Sequence, residues 1–244
     1  MSWYPGEFSS LLLDSRLITR VRLKKYSFKI VKCGDYLQVY FYSKPKLIQD
    51  VEKLDIDNLN KKNTRATNKY YKIEERNIIR TKLNCQRLAK ANSESWKSFI
   101  TLTYKENMQD VAQAKIDLNY FIKNIKKVKK DFKYIAIPEF QKRGAIHFHL
   151  LTNLSLQDSN IVIKQKDNEK FYDVKYWAKG FTSFENVEGD IKKIVGYISK
   201  YMTKDCDDRL FNFRRFSSSQ NLLKPVTEFI SMNNSKNRKW LIEQ

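Results

Sequence analysis

Hydrophobic and polar positions repeat with two different periods along this chain, and the changes of period mark its elements. Residues 26–42 (YSFKIVKCGDYLQVYFY) hold two β-rich runs around Gly34-Asp35, which predicts a hairpin. Residues 43–67 crowd Asp, Asn and Lys together and predict a linker or long loop. Residues 68–91 predict a helix with Arg76, Arg80, Lys82, Arg87 and Lys90 on its polar side, a face suited to a phosphate backbone or to plain solvent. After Trp96 the texture changes. FITLTY (99–104) predicts a short strand, and residues 109–130 an amphipathic helix whose apolar stripe runs Val111, Ala114, Leu118, Phe121, Ile122, Ile125 and Val128. Strands follow over 134–140 and 145–152 around a QKRG turn. A polar stretch, a strand near 180–187 and a helix over 190–204 complete the order. Close hairpins with interspersed helices predict an α+β fold, an antiparallel sheet flanked by helices. The expected division is a basic N-terminal extension over 1–95, hairpin plus helix, and a second domain with a C-terminal tail over 96–244.

Charge adds a partner to this picture. The 47 Lys and Arg against 27 Asp and Glu leave a formal charge of +20 over 244 residues. Lysines that meet phosphates release counterions, so such a surface suits a nucleic acid; a lysine-rich composition shaped by an AT-rich genome is the plainer explanation of the same number. With 41% hydrophobic residues the chain can build a core and is not a disordered tail. No run approaches 18 consecutive apolar residues, which excludes a membrane-spanning helix. The first residues, MSWYPGEFSSLLLDS, lack the basic start of a secretory signal. Cys33, Cys85 and Cys206 are few, odd in number and far apart, so a reducing compartment is expected and a cysteine zinc site is not. The expected location is the cytoplasm, here of a bacterial host cell. There is no GxxxxGK loop and so no ATPase motor of that type.

The chain's two histidines are His147 and His149. In a strand this spacing points both imidazoles to one face, with Ile146, Phe148 and Leu150 on the other. Two nitrogen donors on one face suit a divalent metal; two half-exposed strand histidines without a metal is the bland alternative. Hairpin geometry nominates a third ligand. If Lys142-Arg143-Gly144 is a three-residue loop with Gly144 left-handed, Gln141 faces Ala145 and Glu139 faces His147, with Cβ atoms about 5 Å apart. Ile137 then opposes His149 and Ile135 opposes Leu151, so the polar patch is confined to the turn end. A two-residue loop would set Glu139 against Ile146 and break the trio. Pro138 counts mildly against the strand, because it cannot donate a ladder hydrogen bond.

Residues 190–204 (DIKKIVGYISKYMTK) place Ile191, Ile194, Val195, Ile198 and Met202 within one apolar arc, with Asp190 available as a cap. Tyr201 falls just beyond one edge of this arc and Tyr197 farther out, beside Lys193, Lys200 and Lys204. A phenol, with a pKa near 10, is a poor nucleophile at neutral pH. Neighbouring lysines and a divalent ion ease its attack on a phosphate. The alternative is that both tyrosines are amphipathic residues at a core boundary.

These residues carry a resemblance. GAIHFHLL is similar to the His-hydrophobe-His motif of HUH endonucleases, VGYISKYMTK to their tyrosine motif, and FITLTY to the first strand motif of rolling-circle replication initiators. The step from Glu139 to His147 resembles that group's acidic ligand, and RRFSSSQNLLKP (214–225) resembles the tail of its domain. The motifs span residues 97–205 in the family's order and point to the two-tyrosine initiators of small phages and plasmids; residues 1–90 match much more weakly. The resemblance implies a ferredoxin-like or RRM-like sheet and a nicking-joining enzyme of single-stranded origin DNA. It implies Mg²⁺ or Mn²⁺ on Glu139, His147 and His149. Tyr197, in the Tyr-x-x-Lys position with Lys200, would attack first to leave a 5′-phosphotyrosine, and Tyr201 would serve the second transfer. Lys142, Arg143, Lys193 and Lys204 are the cations expected to meet DNA, and a host helicase and DNA polymerase the expected partners. Two other readings remain: a non-catalytic DNA-binding regulator of its own origin, and an HUH transposase or relaxase.

Overall fold

A computed structural model describes residues 13–14, 17–18, 21–51, 70–158, 160–164, 172–187, 190–203 and 214–231. Those residues fall into two compact units, the larger drawn from Cys33–Tyr36 and Tyr71–Pro225. This division differs from the expected 1–95 and 96–244.

In the smaller unit, strands β1 (Leu13–Asp14) and β2 (Leu17–Ile18) pair with each other. Strands β3 (Val21–Cys33) and β4 (Tyr36–Val51) form the hairpin predicted around Gly34-Asp35, where Gly34 takes a φ of 60°. The hairpin is longer than expected: residues 43–51, read as part of a loop, continue β4. Residues 52–67 of that expected loop lie outside the described residues. Strand β12 (Val226–Ile230) pairs with the other side of β3, so β4 is an edge of this sheet.

The larger unit is built on a five-stranded antiparallel sheet. Its strands are β5 (Ser98–Leu102), β6 (Tyr134–Phe140), β7 (Ile146–Thr152), β10 (Thr182–Asn186) and the two-residue β11 (Ser217–Ser218), in the order β10-β5-β7-β6-β11. A small hairpin, β8 (Val162–Lys164) with β9 (Tyr172–Val174), occupies the stretch read as polar connection. Helix α2 (Val111–Val128) joins β5 to β6, and β7 lies between those two strands, a split βαβ unit. The chain is therefore α+β, an antiparallel sheet with helices, as its periodicities predict.

Period-2 alternation decides which helix meets which face. Ile100, Leu102, Ile146, Phe148 and Leu150 share one core with Ala114, Leu118, Phe121, Ile122 and Ile125 of α2. The helix starts where Asp110 accepts from the backbone N–H groups of Ala112 and Gln113, satisfying two donors that otherwise lack partners. Val128, placed in the apolar stripe by the sequence, is instead exposed in the last turn.

The opposite face carries Phe99, Ile135, Ile137 and Leu151. It shares a second core with Cys85 and Ala89 of α1 (Tyr70–Lys90) and with Ile194 and Ile198 of α3 (Ile191–Thr203). Burying Ile194 and Ile198, each 1% exposed, contributes about 2 kcal/mol apiece to docking α3. Asp190 Oδ1 accepts from Lys193 N at 2.8 Å and caps the helix. The histidines share this second face, with α3 beside them.

Candidate active site

The β6–β7 turn fixes the site. Gln141 N donates to Ala145 O and Gly144 N to Gln141 O, both at 2.8 Å, leaving Lys142-Arg143-Gly144 as the loop. Gly144 has a φ of 93°, a region that suits glycine because it lacks Cβ. Glu139 consequently faces His147, Ile137 faces His149 and Ile135 faces Leu151. Pro138 sits opposite Phe148 without breaking the pairing.

Side chains then sort the trio into a pair and a single. Glu139 Oε2 lies 2.7 Å from His149 Nε2, the diagonal neighbour rather than the residue directly across. His149 Nδ1 lies 3.2 Å from Thr101 Oγ1 on β5, which faces it in the sheet. His147 Nε2 is buried and has no hydrogen-bond partner. Burial, the nearby His149 and Arg143 push His147 down to about 4, against a smaller upward pull from Glu139, so the imidazole stays neutral at physiological pH.

Donor chemistry at this cluster suits a divalent ion: two neutral-capable imidazoles, one with an orphaned nitrogen, and a carboxylate. As the side chains lie, no group of three His, Cys, Asp or Glu among the described residues is arranged to hold a metal. Glu139 satisfies His149 instead.

Helix α3 brings both tyrosines to the sheet. Tyr201 lies flat on His149, ring centroids 3.7 Å apart. Tyr197 lies flat on Phe99 at 4.2 Å, and Phe99 is in turn nearly parallel to His149. Neither phenol is simply a helix-edge group, and Tyr197 is not farther out than Tyr201, because Phe99 rises from β5 to meet it. Burial and the hydrogen bond to Glu185 raise the Tyr197 phenol well above its usual range. Burial would raise Glu185 too, but its bonds to Lys193 and Tyr197 outweigh this and hold it below the ordinary carboxylate range.

The expected cations take separate roles. Lys200 stands 5.2 Å from the centre of the Tyr201 ring, and Lys193 pairs with Glu185 at 2.5 Å. Arg143 donates to the backbone oxygens of Tyr104 and Lys105 and to Gln141, so it braces the loop. Lys142 is exposed at the turn. Lys204 lies outside the described residues. Sequence reasoning missed Thr101, Phe99 and Glu185 as site residues. The first two lie within FITLTY, where a motif already signalled the strand; Glu185 had no signal.

No helix among the described residues is long and apolar enough to cross a membrane. Comparison with curated proteins found no match, and comparison with solved structures found none. Residues 97–206, which contain every member of this cluster from Phe99 to Tyr201, match the model of a family described as replication-associated protein ORF2, and the match supports a replication-associated, Rep-like protein.

Proposed function

We propose that this protein is a rolling-circle replication initiator that nicks and rejoins single-stranded origin DNA through a phosphotyrosine. One observation carries the reading: a tyrosine of α3 lies against His149 of a Glu139–His147–His149 cluster, inside the segment that matches a replication-associated family. Glu139, His147 and His149 would hold Mg²⁺ or Mn²⁺, which when bound supplies charge stabilisation at the scissile phosphate. Thr101, at Nδ1, orients the His149 ring. Lys200 and exposed Lys142 are placed for phosphate oxygens.

A phenol oxygen of α3 forms the bond to phosphorus as the bond to the 3′-oxygen breaks. The phenol releases one proton to solvent and the leaving oxygen takes one up. The phosphotyrosyl bond keeps the phosphodiester's energy, so the reverse attack by a 3′-hydroxyl rejoins the strand without ATP. The freed 3′-hydroxyl would prime a host polymerase, with a host helicase unwinding the duplex.

One observation favours a binding-only regulator: Glu139 is engaged with His149, and the trio does not stand as a closed metal site. A single assay separates the two. Protein, Mn²⁺ and single-stranded DNA of the replicon are mixed, and a denaturant-stable adduct is sought and mapped by peptide mass. An adduct on Tyr197 or Tyr201 supports the enzyme. DNA binding with no adduct in either metal supports the regulator.

A further inference from the structure

The two phenols of α3 are four residues apart, yet they are held by different partners. Tyr201 rests on His149 with Lys200 beside its ring. Tyr197 rests on Phe99 and donates its hydroxyl to Glu185 Oε2. Glu185 projects from β10 directly across from Phe99, and its other oxygen meets Lys193 one turn earlier on the same helix as Tyr197. Strand and helix thus clamp the Tyr197 hydroxyl from two sides.

Proton affinities decide what this clamp does. An ordinary carboxylate is about six pKa units more acidic than a phenol, and Lys193 stabilises the Glu185 anion further. Glu185 therefore accepts a hydrogen bond without taking the proton. It holds the phenol; it does not activate it. A charge-assisted hydrogen bond of this kind is roughly twice as strong as a neutral one. Of the two rings, Tyr201 is the one stacked on the imidazole of the cluster.

We infer that Glu185, braced by Lys193, is a positioning residue that keeps Tyr197 in reserve, so that Tyr201 makes the first phosphotyrosine and Tyr197 the second. This rests on the nicking-joining reading and reverses the order implied by the Tyr-x-x-Lys resemblance. In the first transfer the Tyr201 oxygen bonds phosphorus and the 3′-oxygen leaves as a hydroxyl. In the second, Tyr197 leaves Glu185 and attacks the next site with the same balance. The new 3′-hydroxyl then displaces Tyr201 and closes the circle.

The test uses the full chain, Mn²⁺ and a random-sequence pool of single-stranded DNA, comparing wild type with Glu185→Gln and Glu185→Ala. Both pair members are partly exposed, 45% for the Glu185 side chain and 38% for Lys193, so the substitutions leave the core intact. Wild type is expected to carry its adduct mainly on Tyr201. The Tyr197 share should rise in the order wild type, Gln, Ala, by about tenfold at the end of the series, the difference between a charge-assisted and an absent hydrogen bond. A purely structural Glu185 would lower total adduct without redistributing it, and that result overturns the inference, as does a wild-type adduct mainly on Tyr197. A second readout needs no DNA. With ¹³C-labelled tyrosine and Tyr197→Phe for assignment, Tyr197 should ionise at lower pH in Glu185→Gln than in wild type, where Glu185 and Tyr201 both face it and raise it. Unchanged ionisation refutes the hold. Lowered ionisation with no adduct on any tyrosine leaves the hold standing and refutes the nuclease reading, and with it the reserve role.

Discussion

Glu139 lies directly across the hairpin from His147, but its carboxylate bonds the diagonal neighbour, His149 Nε2, at 2.7 Å. A carboxylate in that position orients one imidazole while leaving the other, His147 Nε2, without a partner. Glu139→Gln keeps the shape and removes the charge that would offset a divalent ion. Mn²⁺ affinity, measured by calorimetry, should drop by at least about tenfold, the lower range for losing a group that tunes a metal site. DNA binding in the absence of metal should be unchanged. Wild-type Mn²⁺ affinity in this variant would remove Glu139 from the site.

Gly144→Val tests the same cluster through the backbone. A φ of 93° is costly for any residue with a Cβ and more so for a β-branched one. Expected is a loss of about 1–2 kcal/mol in unfolding free energy, from the left-handed penalty alone. Because a one-residue slip turns every side chain to the other face, metal affinity should fall with it. Gly144→Asn, which tolerates the left-handed region better, should recover most of both.

The hairpin was legible because turn and alternation act locally: a glycine sets the loop, the loop sets the register, and the register brings Glu139 opposite His147. Other parts depended on partners far away in sequence. β12 exists by pairing with β3 some 200 residues earlier, as Val226 opposite Lys32 shows, and its own pattern is weak. Residues 43–51 read as loop because of Lys44, Pro45 and Lys46, yet an edge strand tolerates lysines and a proline that a central strand would not. Cys85 and Ala89 seat α1 in the second core, small residues that carry little periodic signal. The Glu185–Tyr197 contact joins β10 to α3 across a face no motif describes.

His147 should make stability depend on pH. Its folded-state value, about 4, lies below the ordinary 6.5, so between these values the unfolded chain binds a proton that the folded chain refuses. Stability is fully present above pH 6.5 and declines as pH falls toward 4, where the decline levels off. Denaturant titrations of chelator-treated protein should show this slope in wild type and lose it in His147→Asn. An equal slope in both would place the titrating group elsewhere.

Thr101 offers the most selective test of the histidine pair, because its hydroxyl bonds the ring nitrogen turned away from Glu139. That hydroxyl is 3.2 Å from His149 Nδ1 and sits opposite that residue in the sheet, so it fixes which ring nitrogen faces the cluster. Thr101→Val preserves branching and strand propensity while deleting one hydrogen bond, which costs about 1 kcal/mol of stability. The ring then keeps its stacking on Tyr201 and Phe99 but loses the partner that sets its tautomer. Outer partners of metal-binding histidines are typically worth about 10–100-fold in affinity. Mn²⁺ binding should therefore weaken by about tenfold, with salt-sensitive binding to single-stranded DNA intact, since phosphate contacts come from lysines and arginines. Thr101→Ser, which keeps the hydroxyl, should restore the affinity. Unchanged Mn²⁺ binding in Thr101→Val would mean that Glu139 alone orients His149.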